Sequence, residues 1–440
     1  MTVYAQDASN CELIYQWSND TIPATTAHAN IYNDIWGHEA DGREYAIMGS
    51  TAGTHIFDLT DEGQEAEIAF IEGAVTGTQM VHRDFHTYAG YLYAVADEGP
   101  STLQIIDLQD LPVSVEVVYD SSNLIQRAHN IFIDEEAGIM YRCGGNHQLS
   151  LYSLQDPTDP TLIINCQLDV PNWNQSVGYV HDIYVKDGIA YCNAGGDGLW
   201  IVDFSSPTEP VTLGSLTDYE DQGYNHSGWL HNSGNIYALA DETHGMRIKI
   251  LDVSDPSDIE IISFVESAVN DFSIPHNLIF QDDFLHVSYY VDGYYVWDIA
   301  NPASPQLFAY YDTSDWPHSL GYKGAWGVYP FLNSGKMLVS DMQEGLFVLQ
   351  LGANNIADIQ IFDIQVNPNP AAETLSFSLP NGNTKSMVTI VSISGEIILQ
   401  EIISGLGTQT IELPSNMASG SYVINIAGLG YQSSSTFIKQ

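Results

Sequence analysis

The sequence predicts an all-β fold: a seven-bladed β-propeller that is closed by its N-terminal strand and followed by a small C-terminal β-sandwich. Three features predict it: a repeat whose starts lie 45 to 52 residues apart, short strand-like runs within each repeat, and one spare strand at the N-terminus. Repeats of this period are typical of radial or stacked architectures. Because 44% of the 440 residues are hydrophobic, the chain can also fill a large core.

A histidine-led motif marks the repeat. The clearest copies are His129–Phe132, His181–Tyr184 and His276–Ile279. The seven copies start at Asn33, His82, His129, His181, His226, His276 and Trp326. Because β-branched and aromatic residues follow each start, we expect the motif to form the first strand of each blade.

The third strand of most repeats ends in an aspartate that precedes a turn. These aspartates are Asp58, Asp107, Asp203, Asp252 and Asp298. An aspartate at the start of a turn accepts hydrogen bonds from the backbone amides that follow it. We therefore expect these residues to have a local structural role.

The fourth strands predict how the ring of blades closes. Six are expected, at residues 67–72, 115–119, 162–168, 211–216, 259–265 and 306–311. The seventh repeat ends with its third strand at Leu351, whereas residues 11–18 resemble 306–313 in pattern. We therefore expect the N-terminal segment to be the outer strand of the last blade, which leaves no long sheet edge exposed.

The composition changes after Leu351 and predicts a second domain. Residues 11–351 are assigned to the propeller, residues 352–366 to a linker with a short strand, and residues 367–440 to a small β-sandwich of closely spaced strands with glycine turns. Residues 1–10 are expected to be a signal-peptide remnant or a disordered start, since Val3-Tyr4-Ala5 looks like the end of a signal.

The charge excludes several classes of partner. Eleven Lys and Arg stand against 56 Asp and Glu, a net charge of −45, which disfavours nucleic acid and anionic lipid. Such a surface suits solubility in a salty medium, the binding of divalent cations, or both. No run of apolar residues is long enough to predict a membrane span. The four cysteines form no CxxC pair and are expected to be buried thiols.

The C-terminal segment carries an ordered set of short motifs. They are Pro-Asn-Pro-Ala at 368–371, a strand at 375–379, Ser-Gly-Glu at 394–396, Met-Ala-Ser-Gly-Ser-Tyr at 417–422 and Thr-Phe-Ile-Lys at 436–439. The set resembles the type A C-terminal sorting domain of type IX secretion substrates from Bacteroidetes. This resemblance implies export by the type IX secretion machinery to an extracellular location, secreted or anchored to the outer cell surface.

The repeat region carries longer motifs. They lie at 42–50, 82–86, 95–99 with 103–107, 129–134 and 324–331. These stretches resemble proteins built from LVIVD repeats and, more closely, the choice-of-anchor B family of exported proteins. The resemblance covers most of residues 30–351. It implies the fold and the extracellular location but no particular activity.

The repeat predicts that histidines converge at one mouth of the channel, because the first strands of propeller blades line the axis. The candidate metal ligands are His82, His129, His181, His226 and His276. The candidate ligand-binding residues beside them or on the turns between second and third strands are Asp84, Asn130, Asp182, Asn277, Asp197 and Asp241. The same turns carry Asp97, Glu98, His147, Glu242, His244, Asp292, Asp341 and Glu344. Imidazoles and carboxylates together suit one divalent transition metal, or a ligand bound around the rim.

The histidines also have a structural interpretation. Each could brace its blade by bonding a backbone carbonyl of the next, and five copies would then reflect repeat descent alone. Three functions stay open on this basis: a binding module that recognises an extracellular protein, glycan or small ligand, an extracellular metal-dependent hydrolase or lyase, and a structural spacer. No G-x-S-x-G or H-E-x-x-H motif assigns a catalytic residue.

Overall fold

The computed structural model of this chain describes residues 8–145, 149–314, 316–317, 320–352, 360–361, 364, 366–379, 385–392, 397–404, 407–428 and 431–440. The chain divides into two compact units, Met1–Leu351 and Gly352–Gln440. The described helical residues are confined to α1 (Cys166–Asp169) and a 3-10 turn at Trp173–Gln175. Neither segment has the length or the apolar character needed to cross a membrane. The predicted all-β class is confirmed.

The described strands of the first unit form seven sheets, consistent with the blades of a propeller. The chain begins with β1 (Ala8–Ser9) and β2 (Cys11–Trp17). Sheets one to three then comprise β3 (Tyr32–Ala40), β4 (Arg43–Ser50), β5 (Gly53–Asp58) and β6 (Ala66–Glu72); β7 (Arg83–Tyr88), β8 (Tyr91–Ala96), β9 (Leu103–Asp107) and β10 (Glu116–Ser121); and β11 (Asn130–Asp134), β12 (Ile139–Cys143), β13 (Leu149–Ser153) and β14 (Thr161–Asn165).

The remaining sheets repeat this antiparallel plan. Sheets four to seven comprise β15 (Asp182–Lys186), β16 (Ile189–Asn193), β17 (Leu199–Asp203) and β18 (Val211–Leu216); β19 (Asn225–Leu230), β20 (Ile236–Asp241), β21 (Ile248–Asp252) and β22 (Glu260–Val265); β23 (Leu278–Gln281), β24 (Phe284–Ser288), β25 (Tyr294–Asp298) and β26 (Gln306–Tyr311); and β27 (Ala325–Tyr329), β28 (Lys336–Asp341) and β29 (Gly345–Leu351).

The N-terminal strands pair with the last two sheets. Strand β2 adds to β29, with Cys11 opposite Leu351 and Trp17 opposite Leu346, so sheet seven has the order β2-β29-β28-β27. Strand β1 adds to β26 through two residues. Each first strand contacts the first strand of the following sheet, and β27 contacts β3. Residues from both ends of the unit therefore share one sheet.

The hydrophobic core lies between neighbouring sheets. Middle strands such as β4 and β5 are buried almost throughout, whereas the outer strand β10 is largely exposed. Between sheets two and three, for example, Tyr93 and Ile105 belong to the same buried cluster as Ile131 and Met140. This burial pattern is that of sheets packed face to face, with their fourth strands toward solvent.

Glycines allow backbone links between neighbouring sheets. The amide of Ala325 donates to the carbonyl of Tyr290 at 2.9 Å and receives a bond back at 3.1 Å, which joins sheets six and seven. Gly324 precedes this link with φ of +94°, and a Cβ there would lie 2.4 Å from the Tyr290 carbonyl oxygen. Only glycine fits both the conformation and the close approach.

The predicted turn role of the third-strand aspartates is confirmed. The Oδ1 atom of each accepts a bond from the amide two residues ahead, at 2.7 to 3.0 Å, in Asp58, Asp107, Asp203, Asp252 and Asp298. The four cysteines are free and buried, as expected.

The predicted fourth strand at 162–168 is wrong in its second half. Strand β14 ends at Asn165, and helix α1 follows it. The Asn165 Oδ1 accepts a bond from the Leu168 amide at 3.3 Å, while the Asp169 Oδ2 accepts one from the Asn165 amide at 2.9 Å. This reciprocal cap starts a helical turn that the strand-like composition concealed.

The second unit is a small β structure with one core. Its strands are β30 (Gln360–Ile361), β31 (Thr374–Leu379), β32 (Lys385–Ser392), β33 (Ile397–Ser404), β34 (Gly407–Glu412), β35 (Gly420–Gly428) and β36 (Tyr431–Lys439). The described strands form a sheet β30-β36-β35-β32-β33 and a pair β31-β34. Phe377 and Ile411 of the pair share a buried cluster with Val388, Ile424 and Phe437 of the sheet. The motif at 394–396 lies outside the described residues.

Candidate functional site

Six aromatic side chains from six sheets form a closed circle, called here the histidine ring. The distances between ring centroids are His82–His129 4.3 Å, His129–His181 4.1 Å, His181–His226 4.3 Å, His226–His276 4.4 Å, His276–Trp326 4.1 Å and Trp326–His82 5.5 Å. The structure thus brings together the five histidines at which five of the repeats start. Asn33, the start of the first repeat, instead donates from Nδ2 to the Val81 carbonyl at 3.2 Å.

Three histidines of the ring bond the backbone of the next sheet. His82 Nε2 donates to the His129 carbonyl at 2.6 Å, His181 Nδ1 to the His226 carbonyl at 3.1 Å, and His276 Nδ1 to the Trp326 carbonyl at 2.6 Å. A carbonyl only accepts, so these partners assign the protonated nitrogen of each ring. The bracing role is therefore present at three positions, and it leaves His181 Nε2 and His276 Nε2 with free lone pairs.

The other two histidines face carboxylates. His129 Nδ1 lies 2.9 Å from Asp97 Oδ2, and His226 Nε2 lies 3.8 Å from Glu242 Oε2. Within the part of the chain that the structure describes, the buried Nδ1 atoms of His82 and His226 have no partner. Buried polar atoms normally have partners, so these two nitrogens are candidates for contact with a ligand.

Burial controls the protonation of four histidines of the ring. It lowers the pKa of His82, His181 and His226 well below the usual value, and repulsion between neighbouring histidines adds to the effect. Burial also lowers the pKa of His276 to about 3. These imidazoles are neutral at neutral pH, and a neutral imidazole is the form that binds metals.

Among the described residues, two groups of this site bring potential metal ligands close together. One is His129, His181 and His226, and the other is His226, Glu242 and His276; in each, one ligand atom per residue lies within 4.8 Å of the others. His226 belongs to both. A single ion held by either set would therefore involve this residue.

A layer of carboxyl and amide groups lies one or two residues further along the first strands. Asp84 Oδ2 accepts a bond from the Ile131 amide at 2.7 Å, and Asp182 Oδ1 accepts one from the Ile183 amide at 2.6 Å. Asp34 and Asp84 bond each other. Burial raises the pKa of Asp34 and of Asp182 to about 7 and that of Asp84 further, so Asp84 keeps the proton of the pair.

The amides of this layer differ from one another in their contacts. The buried Oδ1 of Asn130 has no partner among the residues that the structure describes. Asn277 instead bonds Ser288 through its backbone, since its amide donates to Ser288 Oγ at 3.1 Å. Asn130 is therefore a candidate for contact with a ligand, for the same reason as His226: it has a buried polar atom that lacks a partner.

Several turn residues that were predicted to surround the mouth are engaged elsewhere. Asp241 forms a fully buried ion pair with Lys249 at 2.5 Å, and Asp341 accepts a bond from Thr313 at 2.7 Å. Asp197 is exposed, and His147 lies outside the described residues. By contrast, Glu98 accepts a bond from the His82 amide at 3.1 Å.

Sequence reasoning missed a second circle of rings, which lie on the same first strands or, for Phe331, two residues beyond one. It contains Trp36, His86, Phe132, Tyr184, Trp229, Phe331 and Tyr329, and it lines a cavity of about 430 Å³. The available signal was the repeat itself, because in six of the seven copies the residue three places after the start is aromatic, and five of these six rings belong to the circle. The interpretation of the sequence considered only the end of these strands that carries the histidines.

Comparisons with known proteins agree with this architecture. Residues 177–218 and 277–313, which include sheets four and six, match the LVIVD repeat family. Residues 365–440 match the secretion system C-terminal sorting domain family. A comparison with curated proteins finds no match. The chain therefore carries LVIVD repeats and a type IX sorting domain, which indicates an exported protein that is secreted or held at the cell surface.

Proposed function

We propose that this exported protein is a seven-bladed β-propeller that binds one divalent transition-metal ion in its histidine ring. The propeller would span residues 11–351, closed by β2, and the sorting domain residues 367–440. The pairing of β2 with β29 and the contact between β27 and β3 support the closure. Kinship with the choice-of-anchor B proteins is part of the same proposal.

His226 carries the metal proposal: its Nε2 lies 3.8 Å from Glu242 Oε2, and its Nδ1 is buried without a partner among the described residues. This nitrogen belongs to a side chain that is only 4% exposed, and the residue lies in both ligand groups. Two histidines with one carboxylate, or three histidines, are common sets for zinc and for iron(II). Ligand atoms within 4.8 Å of one another need only small side-chain rotations to reach a common ion at about 2 Å.

The surroundings of the ligands favour the set His226, Glu242 and His276. The Nδ1–H of His276 is held by the Trp326 carbonyl, which directs the lone pair of Nε2 to the site. Tyr290 donates to Glu242 Oε1 at 2.5 Å, so Oε2 is the atom that faces His226. Metal ligands are typically oriented by such outer contacts.

The buried carboxylate of Glu242 also favours the binding of a cation. Burial raises the pKa of Glu242, an effect that the Tyr290 bond only partly offsets. A divalent cation would favour the ionised form of this buried carboxylate. Neutral imidazoles supply the remaining ligands without adding positive charge.

Metal content of the untagged full chain, measured by elemental mass spectrometry, tests the proposal. We expect about one equivalent of zinc, copper, manganese or iron per chain, lost in His226→Ala. The control is His231→Ala, a surface histidine that bonds Ser233 and Asp283. Absence of metal in the wild-type protein after growth and dialysis with each of these metals would contradict the proposal.

A second variant distinguishes the two ligand sets. Glu242→Gln keeps an acceptor for Tyr290 but removes the carboxylate charge. Metal loss in this variant would assign the set with Glu242, whereas retention would assign His129, His181 and His226. Calorimetric melting of each variant separates metal loss from unfolding.

A hydrolase or lyase at the same site is the second candidate, favoured by Glu98. Burial raises the pKa of Glu98 to about 7, the range in which a carboxylate serves as a general base. Turnover of glycans, lactones or phosphate esters by the metal-loaded protein, lost in Glu98→Gln with the metal retained, would establish the enzyme. Binding without turnover across these substrates would favour the binding module.

A further inference from the structure

The second circle of rings, called here the aromatic basin, is a continuous aromatic surface. Neighbouring centroids are separated by 4.4 Å for Trp36–His86, 5.3 Å for His86–Phe132, 5.3 Å for Phe132–Tyr184, 4.7 Å for Tyr184–Trp229, 6.0 Å for Trp229–Phe331, 5.4 Å for Phe331–Tyr329 and 5.1 Å for Tyr329–Trp36. Apart from His86, these side chains are half-buried. They therefore present ring surface to the cavity.

The rings of the basin are held in place by the scaffold. Trp36 Nε1 donates to Thr87 Oγ1 of the next sheet at 3.1 Å, which fixes the indole plane. Gly37 accommodates Tyr329, because a Cβ at Gly37 would lie 2.1 Å from the Tyr329 ring. A pre-formed cavity of about 430 Å³ lies within the usual size range of small-molecule sites.

The rim of the cavity is acidic. Four carboxylates line it, from Asp134, Glu135, Glu136 and Asp187, against the single ammonium of Lys186. Asp134 is fixed in position, since its two oxygens accept bonds from the Ala137 amide at 3.2 Å and the Gly188 amide at 3.1 Å. An anionic ligand would be repelled from this rim.

The nearby carboxylates also contribute to the raised pKa values of the tyrosines in the basin. Burial raises the pKa of Tyr184 to about 12, and the charges of Asp187 and Asp134 are among the further causes. Burial also raises the pKa of Tyr329, with Glu39 and Glu135 adding to it. The phenols stay neutral, so their ring faces keep the electron density that attracts cations.

We propose that the aromatic basin binds a small organic cation that carries an alkylated or quaternary ammonium group. Such a group is too weakly hydrated and too rich in methyl groups for a carboxylate site alone, and too charged for an apolar one. Aromatic faces with carboxylates nearby satisfy both requirements. This binding is independent of the metal proposed for the histidine ring, which starts three residues earlier on the same strands.

A pair of ligands of equal shape tests the charge requirement. Titration calorimetry of the full chain with choline should show saturable binding. The uncharged isostere 3,3-dimethylbutan-1-ol should bind at least about tenfold more weakly. Equal binding of the two would overturn the proposal in favour of an apolar site. Failure of both choline and benzyltrimethylammonium to bind saturably would overturn it as well, and so would binding of neutral sugars in preference to choline.

Matched variants test the location. Trp229→Leu should weaken choline binding about tenfold. Trp200→Leu should not, because Trp200 lies outside the cavity lining and bonds the Asp197 carbonyl at 2.9 Å. Equal loss in both variants would overturn the assignment to this basin.

A variant at two surface residues tests the same site if Trp229→Leu does not fold. Glu135 and Glu136 are exposed, so the double change Glu135→Gln, Glu136→Gln should leave the melting temperature unchanged. It should weaken choline binding several-fold at low salt and less at high salt, while binding of the uncharged isostere stays the same. An unchanged choline affinity at low salt would contradict the role of the rim. Removal of metal by dialysis against a chelator should leave choline binding intact.

Discussion

The two ends of the first strands both carry closed circles of flat rings, but in different environments. In the histidine ring, His276 is 2% exposed and His226 is 4% exposed. In the aromatic basin, rings such as Phe132 and Trp229 are half-buried and line a cavity. Two positions of the same repeat, three residues apart, therefore give one closed polar centre and one open aromatic surface.

The difference follows from the hydrogen-bonding needs of the rings. A buried imidazole must bond something, and His181 and His276 each do so through a carbonyl of the next sheet. The Phe132 ring has no such requirement, so it can face solvent without an unpaired polar group. Three imidazoles thus join neighbouring sheets at one end, while rings such as Phe132 and Phe331 leave space for a ligand at the other.

The largest expected effect is the loss of both sites together. Deletion of residues 11–18 removes β2 and takes Ile14, Tyr15 and Trp17 out of a core cluster. At roughly 1.5 to 3 kcal/mol for each fully buried side chain, and less for these partly buried ones, we expect a loss of at least about 4 kcal/mol once the exposed edge of β29 is included. Calorimetry measures the melting temperature, and metal and choline binding should disappear with it.

Deletion of residues 1–9 is the matched control for this change. It removes β1, which pairs with β26 through two residues only, and it should change the melting temperature little. If the deletion of 11–18 left the melting temperature unchanged, closure by β2 would be refuted.

A smaller effect is expected when one ring of each circle is substituted and the stabilities of the two variants are compared in metal-free buffer. His181→Phe keeps a ring but leaves the His226 carbonyl without its 3.1 Å partner, and we expect a cost of about 2 kcal/mol. Phe331→Leu trims a half-buried ring of the basin and should cost less than about 1 kcal/mol. Chemical denaturation of both variants measures the difference, and the reverse order would contradict the contrast between a braced and an open circle.

The smallest effect concerns a histidine outside both circles. Burial lowers the pKa of His286 to about 3 from an ordinary value near 6.5. As the pH falls, His286 is therefore protonated in the unfolded state before it is protonated in the folded state. The stability that neutral His286 contributes is complete above pH 6.5 and is lost as the pH falls toward 3.

The change His286→Gln should remove this part of the acid dependence. Between pH 6 and pH 4 the slope of unfolding free energy against pH should decrease by up to about 1.4 kcal/mol per pH unit. Urea melts at several pH values measure both slopes. Identical slopes in the two proteins would show that His286 does not set the acid limit.

The repeat made most of the fold predictable. The predicted starts coincide with the starts of the first strands to within two residues, as His129 before Asn130 and His181 before Asp182 illustrate. The third-strand aspartates were also predictable, since their bonds reach only two residues ahead. Such features depend on local patterns, which a sequence displays directly.

Two adjacent acidic residues in one turn, Asp241 and Glu242, show what local sequence patterns could not predict. Asp241 was a candidate for the site, but it is paired with Lys249 of the neighbouring strand. Glu242, the next residue, approaches His226. Consecutive side chains at a strand end point in different directions, so one residue of register decides which of them reaches the ring.

By itself, the sequence determined the all-β class, the order of the strands, the convergence of the histidines and the export signal at the C-terminus. Only the tertiary structure decided which imidazole nitrogens keep a free lone pair, which carboxylate faces them, and that a second circle of rings encloses a cavity. These properties depend on contacts between residues that are far apart in the sequence, such as His181 and His226, which are separated by 45 positions. A repeat brings these residues into neighbouring positions, but the packing of the sheets orients their side chains.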